Sequence, residues 1–490
     1  MARHRKASLL AAGALLVFAA CSSTNEITAQ RSITEGSVDS GVGVGPGATA
    51  DPGTSGSTRT VTTEGTRTST GGAPVVPGGG PVRMGRGVTA GSIKIGFNIT
   101  KNLNAALAAV GFGGPSIGND ERTIINILVK HFNDHGGIAG RKIIPVVFDY
   151  DATQAQGWDA LAEQACSKFV DDEGVFAAVS GHVGGTDSLL SCLAEGQVPL
   201  MQQNQWPYDG DYQRRYAGYL YQPSRMRPER WVPQYFGGLQ EAGYFTSGHK
   251  LGLIRFDAPV FTRIEKMMRD DLARRGLKFT DVSVIRTPQS VNQFGAMAGE
   301  LSSTILQFRS KGITHVVFDE YASIIPFFFL TQAEDQGYRP RYGFTSINLM
   351  GTLEAQHGKE QLHGSIGVSW LPGQDLTRSF RDDPRYGQGG AFEECFAIIE
   401  AGGYERSRIY DGTHCDSLFF LKKALERTND LTVAGMQASA ATLGTSYDSP
   451  YTWATKFEPG RTDGASKTML MAYVDSCTCF KLRGGLRDAG

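Results

Sequence analysis

The chain has 490 residues, 40% of them hydrophobic, and a formal net charge of −1. That length is enough for two or more domains, and the composition supports a real core. The near balance of charge excludes a polyanion such as nucleic acid as the expected partner.

The chain opens with Arg3, Arg5 and Lys6, followed by the apolar run "ASLLAAGALLVFAA" up to Cys21. At about 14 residues this run is too short to span a bilayer and has the form of a signal-peptide h-region, giving a signal peptide over 1–20. "FAAC" (Phe18–Cys21) resembles the lipobox of bacterial lipoproteins, with Phe18 standing where leucine is usual. The resemblance implies a lipidated Cys21 on the outer face of the cell membrane, where two acyl chains suffice for stable anchoring. From Ser22 to Ala90 there is no aromatic residue, and serine, threonine, glycine and proline dominate. Such a segment cannot bury enough apolar surface to offset its chain entropy, so 21–90 is expected to be a disordered tether. About 69 residues of flexible coil reach roughly 45 Å root-mean-square.

From Gly91 onward short apolar runs alternate with amphipathic ones. "IKIGFN" predicts a strand, and "ERTIINILVKHFNDH" a helix with Ile124, Ile125, Leu128 and Phe132 on one face. "HGGIAGRKI" then links that helix to the strand "IIPVVFD", its glycines suiting left-handed turn geometry at the amino end of the strand. The helix "WDALAEQACSKFVDD", the strand "VFAAVS", the helix "TDSLLSCLAEG" and the strand "VPLMQ" follow. After "GYLYQPS" the pattern restarts with a helix near Glu229–Ala242, the strand "KLGLIRF", a helix over Val260–Arg275 and the strand "DVSVIR". A helix over Gln293–Ser310, the strand "ITHVVF", the helix "SIIPFFFLTQAEDQG" despite Pro326, and the strand "RYGFTS" complete it. Buried strands separated by amphipathic helices predict α/β architecture: two Rossmann-like lobes with parallel sheets joined by a hinge. The first lobe is read as 91–222 with return segments from about 371–445, and the second as 223–370 with part of 446–490. "SIGVSW" and the helix "DSLFFLKKALERT" are read as turning back toward the first lobe, and "MLMAYV" as a closing strand.

Apart from Cys21 there are six cysteines: Cys166, Cys192, Cys395, Cys415, Cys477 and Cys479. An even count in an exported chain suggests disulfides, with about fifteen connectivities open. The preferred set is 166–192, 395–415 and 477–479, the last closing a very small ring. Zinc is the competing reading, but "CTC" has too short a spacing and no second ligand pair nearby. No metal and no cofactor are expected.

"IKIGFNIT", "INILVKHFNDHGGIAGRKIIPVVFDYDATQ", "KFVDDEGVFAAVSGHVGG" and "SKGITHVVFDEYASIIPFFFLTQAEDQGY" occur in that order. Together they resemble the type I periplasmic solute-binding proteins of branched-chain amino acid type importers. The resemblance runs from about Ser92 to Met350 and continues more loosely to the end; the signal-lipobox-tether prefix resembles that of actinobacterial members. It implies ligand capture between the lobes, and open parallel sheets place ligands beyond the carboxyl ends of their strands. Helix N-termini there offer free N–H groups to a carboxylate. The loops in question carry Asn102; Ser180, His182 and Thr186; Gln203, Asn204 and Trp206; Phe256 and Phe261; Glu320 and Tyr321; and Ser346. By the family pattern Ser180 and Thr186 would hold a ligand carboxylate, Glu320 an ammonium, and Phe261 or Tyr321 would cover an apolar portion. One departure stands out: "QQNQW" fills a loop where the family usually has small residues and a hydroxyl. Its bulky amides suit a polar ligand other than a plain aliphatic amino acid.

Two motifs point elsewhere and fail on context. "GPSIG" around Ser116 matches G-x-S-x-G but lacks the strand that should run straight into it. "HFNDH" (His131–His135) lacks the glutamate of H-E-x-x-H. The expected function is therefore non-enzymatic: a lipid-anchored, monomeric binding protein delivering a small polar solute to an ABC permease and its ATPase. The alternatives are a sensor using the same fold without a transporter, and an extracellular hydrolase.

Overall fold

Ile93, Ile95, Phe97 and Ile99 bury one face of a strand, and Gly96, Asn98 and Thr100 between them are buried too, so this strand seeds a sheet covered on both faces. The computed structural model describes residues 81–109, 120–154, 156–180, 187–376, 383–404 and 413–490. The signal peptide, Cys21, the tether up to residue 80, Ser116, His182 and Thr186 lie outside the described residues.

Strand β1 (Ser92–Lys101) pairs in parallel with β2 (Lys142–Asp151) along its full length, from Ser92↔Lys142 to Lys101↔Asp151. On its other side lie β3 (Ala177–Ser180), β4 (Leu200–Gln202) and β5 (Leu220–Tyr221), giving a five-stranded parallel sheet of order β2-β1-β3-β4-β5. Helix α1 (Glu121–Asp134) starts where the Asp120 side chain accepts from the Thr123 N–H, and buries Ile124, Ile125, Leu128, Val129 and Phe132. It ends at His135, and Gly136, Gly137 and Gly140 follow with φ of 93°, 70° and 77°. A Cβ on Gly137 would stand 1.9 Å from the Arg141 carbonyl oxygen, so only glycine fits this turn. The turn feeds the amino end of β2, the pole opposite the strand ends that carry the loops of interest. Helices α2 (Trp158–Ser167) and α3 (Ser188–Glu195) are joined by the Cys166–Cys192 disulfide.

The second sheet takes seven strands: β6 (Leu251–Phe256), β7 (Phe279–Ile285), β8 (His315–Asp319), β9 (Arg341–Thr345), β10 (Ile366–Ser369), β11 (Lys467–Val474) and β12 (Cys479–Asp488). Its parallel part, β7-β6-β8-β9-β10, repeats the arrangement of the first sheet. β11 and β12 extend it as antiparallel neighbours. "SIGVSW" is thus β10 of the second sheet and does not turn back toward the first lobe. Its Ile366, Val368 and Trp370 are buried, and its backbone pairs with β9 on one side and β11 on the other. Helices α4 (Pro228–Glu241), α5 (Pro259–Arg274), α6 (Phe294–Lys311) and α7 (Ile324–Asp335) belong to this lobe. Pro326 is tolerated in α7 because it lies in the first turn, where its missing N–H has no intrahelical acceptor anyway.

Helices α8 (Ala391–Ala401) and α9 (Thr413–Leu425) do return to the first lobe. Phe419 packs on Phe132 of α1 with ring centroids 5.9 Å apart, and Cys395–Cys415 ties α8 to α9. Cys477, in the turn between β11 and β12, is bonded to Cys479, the first residue of β12. The amino-terminal edge differs from the expected tether. Arg83–Met84 pairs in parallel with Asp430–Leu431, an Arg83–Asp430 ion pair at 3.0 Å adds to it, and Val88 enters the core. Isolated apolar residues among the glycines are enough to dock this segment.

Segments 222–227, 371–376 and 441–466 lie between the two sheets in the chain, and a buried polar network binds them together. The Gln205 side chain donates to Gln374 Oε1 at 3.0 Å, as does Arg225 at 3.3 Å. Ser449 donates to Asp416 at 2.7 Å, and Thr452 donates to the Trp370 carbonyl at 2.6 Å. The Arg230–Asp463 ion pair at 2.5 Å, with both side chains buried, fixes the last segment to α4. Burial pushes the Asp375 carboxyl up to about 7 and raises that of Asp416, while the nearby Arg225 charge draws both down. All described residues fall within one compact unit.

Candidate functional site

The carboxyl ends of β1 to β4 surround a cavity of ≈ 30 Å³. Asn98, Ser180, Gln202 and Asn204 bring polar groups to its wall; Tyr150, Trp158 and Tyr208 bring rings; Leu161, Ala162 and Leu189 complete it. Each is there for a local reason. Asn98 and Ser180 are adjacent in the β1–β3 register, and the Asn98 amide nitrogen donates to Ser180 Oγ at 3.4 Å. Gln202 ends β4 and its amide nitrogen donates to the Tyr208 hydroxyl at 3.3 Å. Asn204 folds its side-chain oxygen back onto the Trp206 N–H at 3.1 Å, a local turn that aims the following rings across the cleft. The Asn98 Oδ1 and Gln202 Oε1 atoms are buried and have no hydrogen-bond partner among the described residues.

The second lobe closes over this wall with aromatic rings. Trp206 meets Phe261 at 5.3 Å and Tyr321 at 5.1 Å between centroids, and Tyr321 also meets Trp158 at 6.5 Å and Phe256 at 5.3 Å. Burial holds the Tyr321 and Tyr208 hydroxyls well above the usual phenol range, so both stay protonated. At the rim, Arg263 of α5 pairs with Asp209 at 2.5 Å, and the Trp158 N–H donates to the Gln289 carbonyl at 2.9 Å. The lobes therefore touch across the mouth.

Of the residues singled out from the sequence, Ser180 and Asn204 line the cavity, and Trp206, Phe256, Phe261 and Tyr321 form its aromatic closure. Four are placed elsewhere. Asn102 donates to Asp151 at 2.8 Å on the exposed rim. Gln203 turns toward α9 and donates to Ser417 Oγ at 2.5 Å. Ser346 donates to Asp375 at 2.6 Å and accepts from the Trp370 and Leu371 N–H groups, a knot inside the second lobe. Glu320 is 1% exposed, and its oxygens accept from the Ser323 and Ile324 N–H groups and from the Asn348 amide at 2.7 Å. It serves there as the cap of α7, with both oxygens engaged and its carboxyl pushed up to about 8 by burial. Sequence reasoning passed over Tyr150 and Trp158, which flank the loop after β2. The carboxyl-end rule, applied to the second strand as it was to the others, finds both.

Among the described residues no group of three histidine, cysteine, aspartate or glutamate side chains is placed to hold a metal ion. No helix of the described residues is long and apolar enough to cross a membrane.

A family model described as "Periplasmic binding protein" matches residues 105–478. No curated protein sequence matches the chain. Among solved structures, an ABC transporter substrate-binding protein from Aeropyrum pernix aligns with a TM-score of 0.61 at 14% identity, covering 82% of this chain and 97% of its own. A substrate-binding protein from Desulfitobacterium hafniense in complex with Leu gives 0.53 at 14%, with 80% and 100% covered. A solute-binding protein from R. palustris in complex with benzoate gives 0.56 at 13%, with 80% and 96% covered.

Proposed function

The chain belongs to the periplasmic binding protein family, and from that premise we propose that it captures a small polar solute between its lobes and hands it to an ABC-type importer. The observation that carries this reading is the polar-walled cavity at the strand carboxyl ends, roofed by rings from the opposite lobe. The chemistry is capture and release. A solute that contacts both lobes favours the closed arrangement by its differential affinity for it. The partners are a membrane permease and its ATPase, which take the solute from the closed, monomeric protein. The basic segment, apolar run and "FAAC" support export and anchoring to the outer face of the cell membrane through lipidated Cys21.

A thermal-shift screen of the purified protein against amino acids, amides, polyamines, nucleosides and small sugars tests the reading. A solute that binds the folded but not the unfolded chain raises Tm, by about 2.7 kcal/mol of added stability at one hundred times Kd. If no small solute moves Tm, solute capture is wrong. For the anchor, Cys21→Ala is expected to release the protein from the membrane fraction into the medium.

A further inference from the structure

We infer that the solute is an uncharged molecule with a planar apolar body and an amide-like group, and not a zwitterionic amino acid. The inference rests on the solute-capture reading above and narrows it. Three observations carry it.

First, residues lining the cavity carry buried polar atoms with no partner among the described residues: the Tyr150 hydroxyl and two amide carbonyl oxygens. Asn98 and Gln202 are 8% and 3% exposed, both line the cavity, and Oδ1 of one and Oε1 of the other have no partner among the described residues. Their amide nitrogens are already engaged by the Ser180 and Tyr208 hydroxyls. A buried carbonyl left unpaired costs about 1–3 kcal/mol, which a ligand N–H or O–H recovers on binding. A primary amide complements two carboxamides well, because it offers donors and an acceptor in one plane.

Second, the described residues of the site offer no counter-charge. None of the described residues lining the cavity is charged. Glu320, the second-lobe carboxylate nearest by sequence to an ammonium-binding role, spends its oxygens on Ser323, Ile324 and Asn348. Asp187 lies close enough to Tyr208 to raise its hydroxyl further, a negative potential that opposes a ligand carboxylate. A charge moved into such a site without a partner costs several kcal/mol.

Third, the rings define the body. At ≈ 30 Å³ the cavity admits only a water-sized group, so the rest of the ligand must replace ring contacts across the mouth. Those contacts are edge-on: Tyr321 meets Trp158 at an interplanar angle of 80° and Trp206 at 61°. A flat apolar body substitutes for one ring in such a cluster.

Calorimetry on the purified protein with benzamide, benzoate, benzylamine and L-leucine tests this. Benzamide is expected to bind at least tenfold more tightly than the three charged analogues. Tighter binding of benzoate, benzylamine or L-leucine overturns the ligand class and leaves solute capture standing. Failure of benzamide while another solute in the wide screen binds does the same; failure of every compound sinks both. Asn98→Leu and Gln202→Leu are each expected to weaken benzamide binding at least tenfold with the unliganded Tm of each variant measured alongside. Unchanged benzamide affinity in both variants overturns the assignment.

Discussion

Arg263 and Asp209 join the two lobes at the rim of the cleft, with the guanidinium 2.5 Å from a carboxylate that is itself fully buried. Asp209 is held by its other oxygen, which accepts from the Asp211 and Tyr212 N–H groups at 3.2 and 3.3 Å. The acid is thus fixed in the first lobe, and the arginine arrives with the second. Arg263 also lies over the Tyr212 ring at 5.7 Å. Its side chain is 36% exposed, so solvent screens the pair and its worth is about 1 kcal/mol. Arg263→Ala is expected to shift the unliganded protein toward open forms and to weaken solute binding roughly three- to tenfold. Small-angle scattering reads the first effect as a larger radius of gyration. An unchanged scattering curve together with unchanged affinity would show that the pair does not latch the lobes.

Gly136 and Gly137 both have positive φ, but their surroundings differ. A Cβ on Gly136 meets nothing within 4 Å, whereas one on Gly137 runs into the Arg141 backbone. Gly136→Ala is expected to cost about 1 kcal/mol, the ordinary strain of a left-handed residue. Gly137→Ala has to move the turn that starts β2, so its cost is expected to be at least twice as large. Urea midpoints for the two variants decide it: equal losses would mean that the turn relaxes freely.

This turn was legible in the sequence because glycine spacing reports backbone geometry directly. The alternation of strands and helices was legible for the same reason: periodicity records which face is buried. The site was less so. Ser180, Trp206, Phe261 and Tyr321 sit at strand or helix ends and follow from topology, but Glu320 and Gln203 share that location without facing the cavity. What separates them is the partner each finds: the start of α7 and Asn348 for Glu320, and Ser417 for Gln203. Ser417 is more than two hundred residues away in the chain. Side-chain partners at that separation are set by how return helices pack, which no local pattern encodes. The docking of Arg83–Met84 on Asp430–Leu431 was hidden for the same reason.

The disulfides rank by the loops they close. Cys166–Cys192 spans 26 residues and Cys477–Cys479 spans 2. On the chain-entropy account the first contributes about 3 kcal/mol and the second less than about 2. The double variant Cys166→Ser/Cys192→Ser is therefore expected to lower Tm more than Cys477→Ser/Cys479→Ser. Each pair joins one buried cysteine (Cys166 or Cys479) to a partly buried one (Cys192 or Cys477), so loop length and not burial sets the contrast. Equal Tm losses for the two double variants would count against loop closure as the source of the stabilisation.

Glu320 makes stability depend on pH in a direction opposite to that of a salt-bridged carboxylate. Its folded-state carboxyl is pushed up to about 8 by burial, from an ordinary value of 4.5. Through that window the unfolded chain releases the proton and the folded one retains it, so stability falls as pH rises. Below about 6.5 the buried His315, lowered to about 4 chiefly by burial, acts the other way: its unfolded form takes up a proton that the folded form refuses. Between pH 6.5 and 8 Asp375, pushed up to about 7, titrates alike in parent and variant, so the difference between the two isolates Glu320. Over that span it removes roughly 2 kcal/mol of stability. Glu320→Gln forfeits an acceptor for the α7 cap, so it starts less stable at pH 6.5, but it lacks the titration. The gap between the variant and the parent, measured by urea unfolding, is expected to narrow toward pH 8. A gap that stays constant or widens would mean that the three donors around Glu320 hold it ionised throughout.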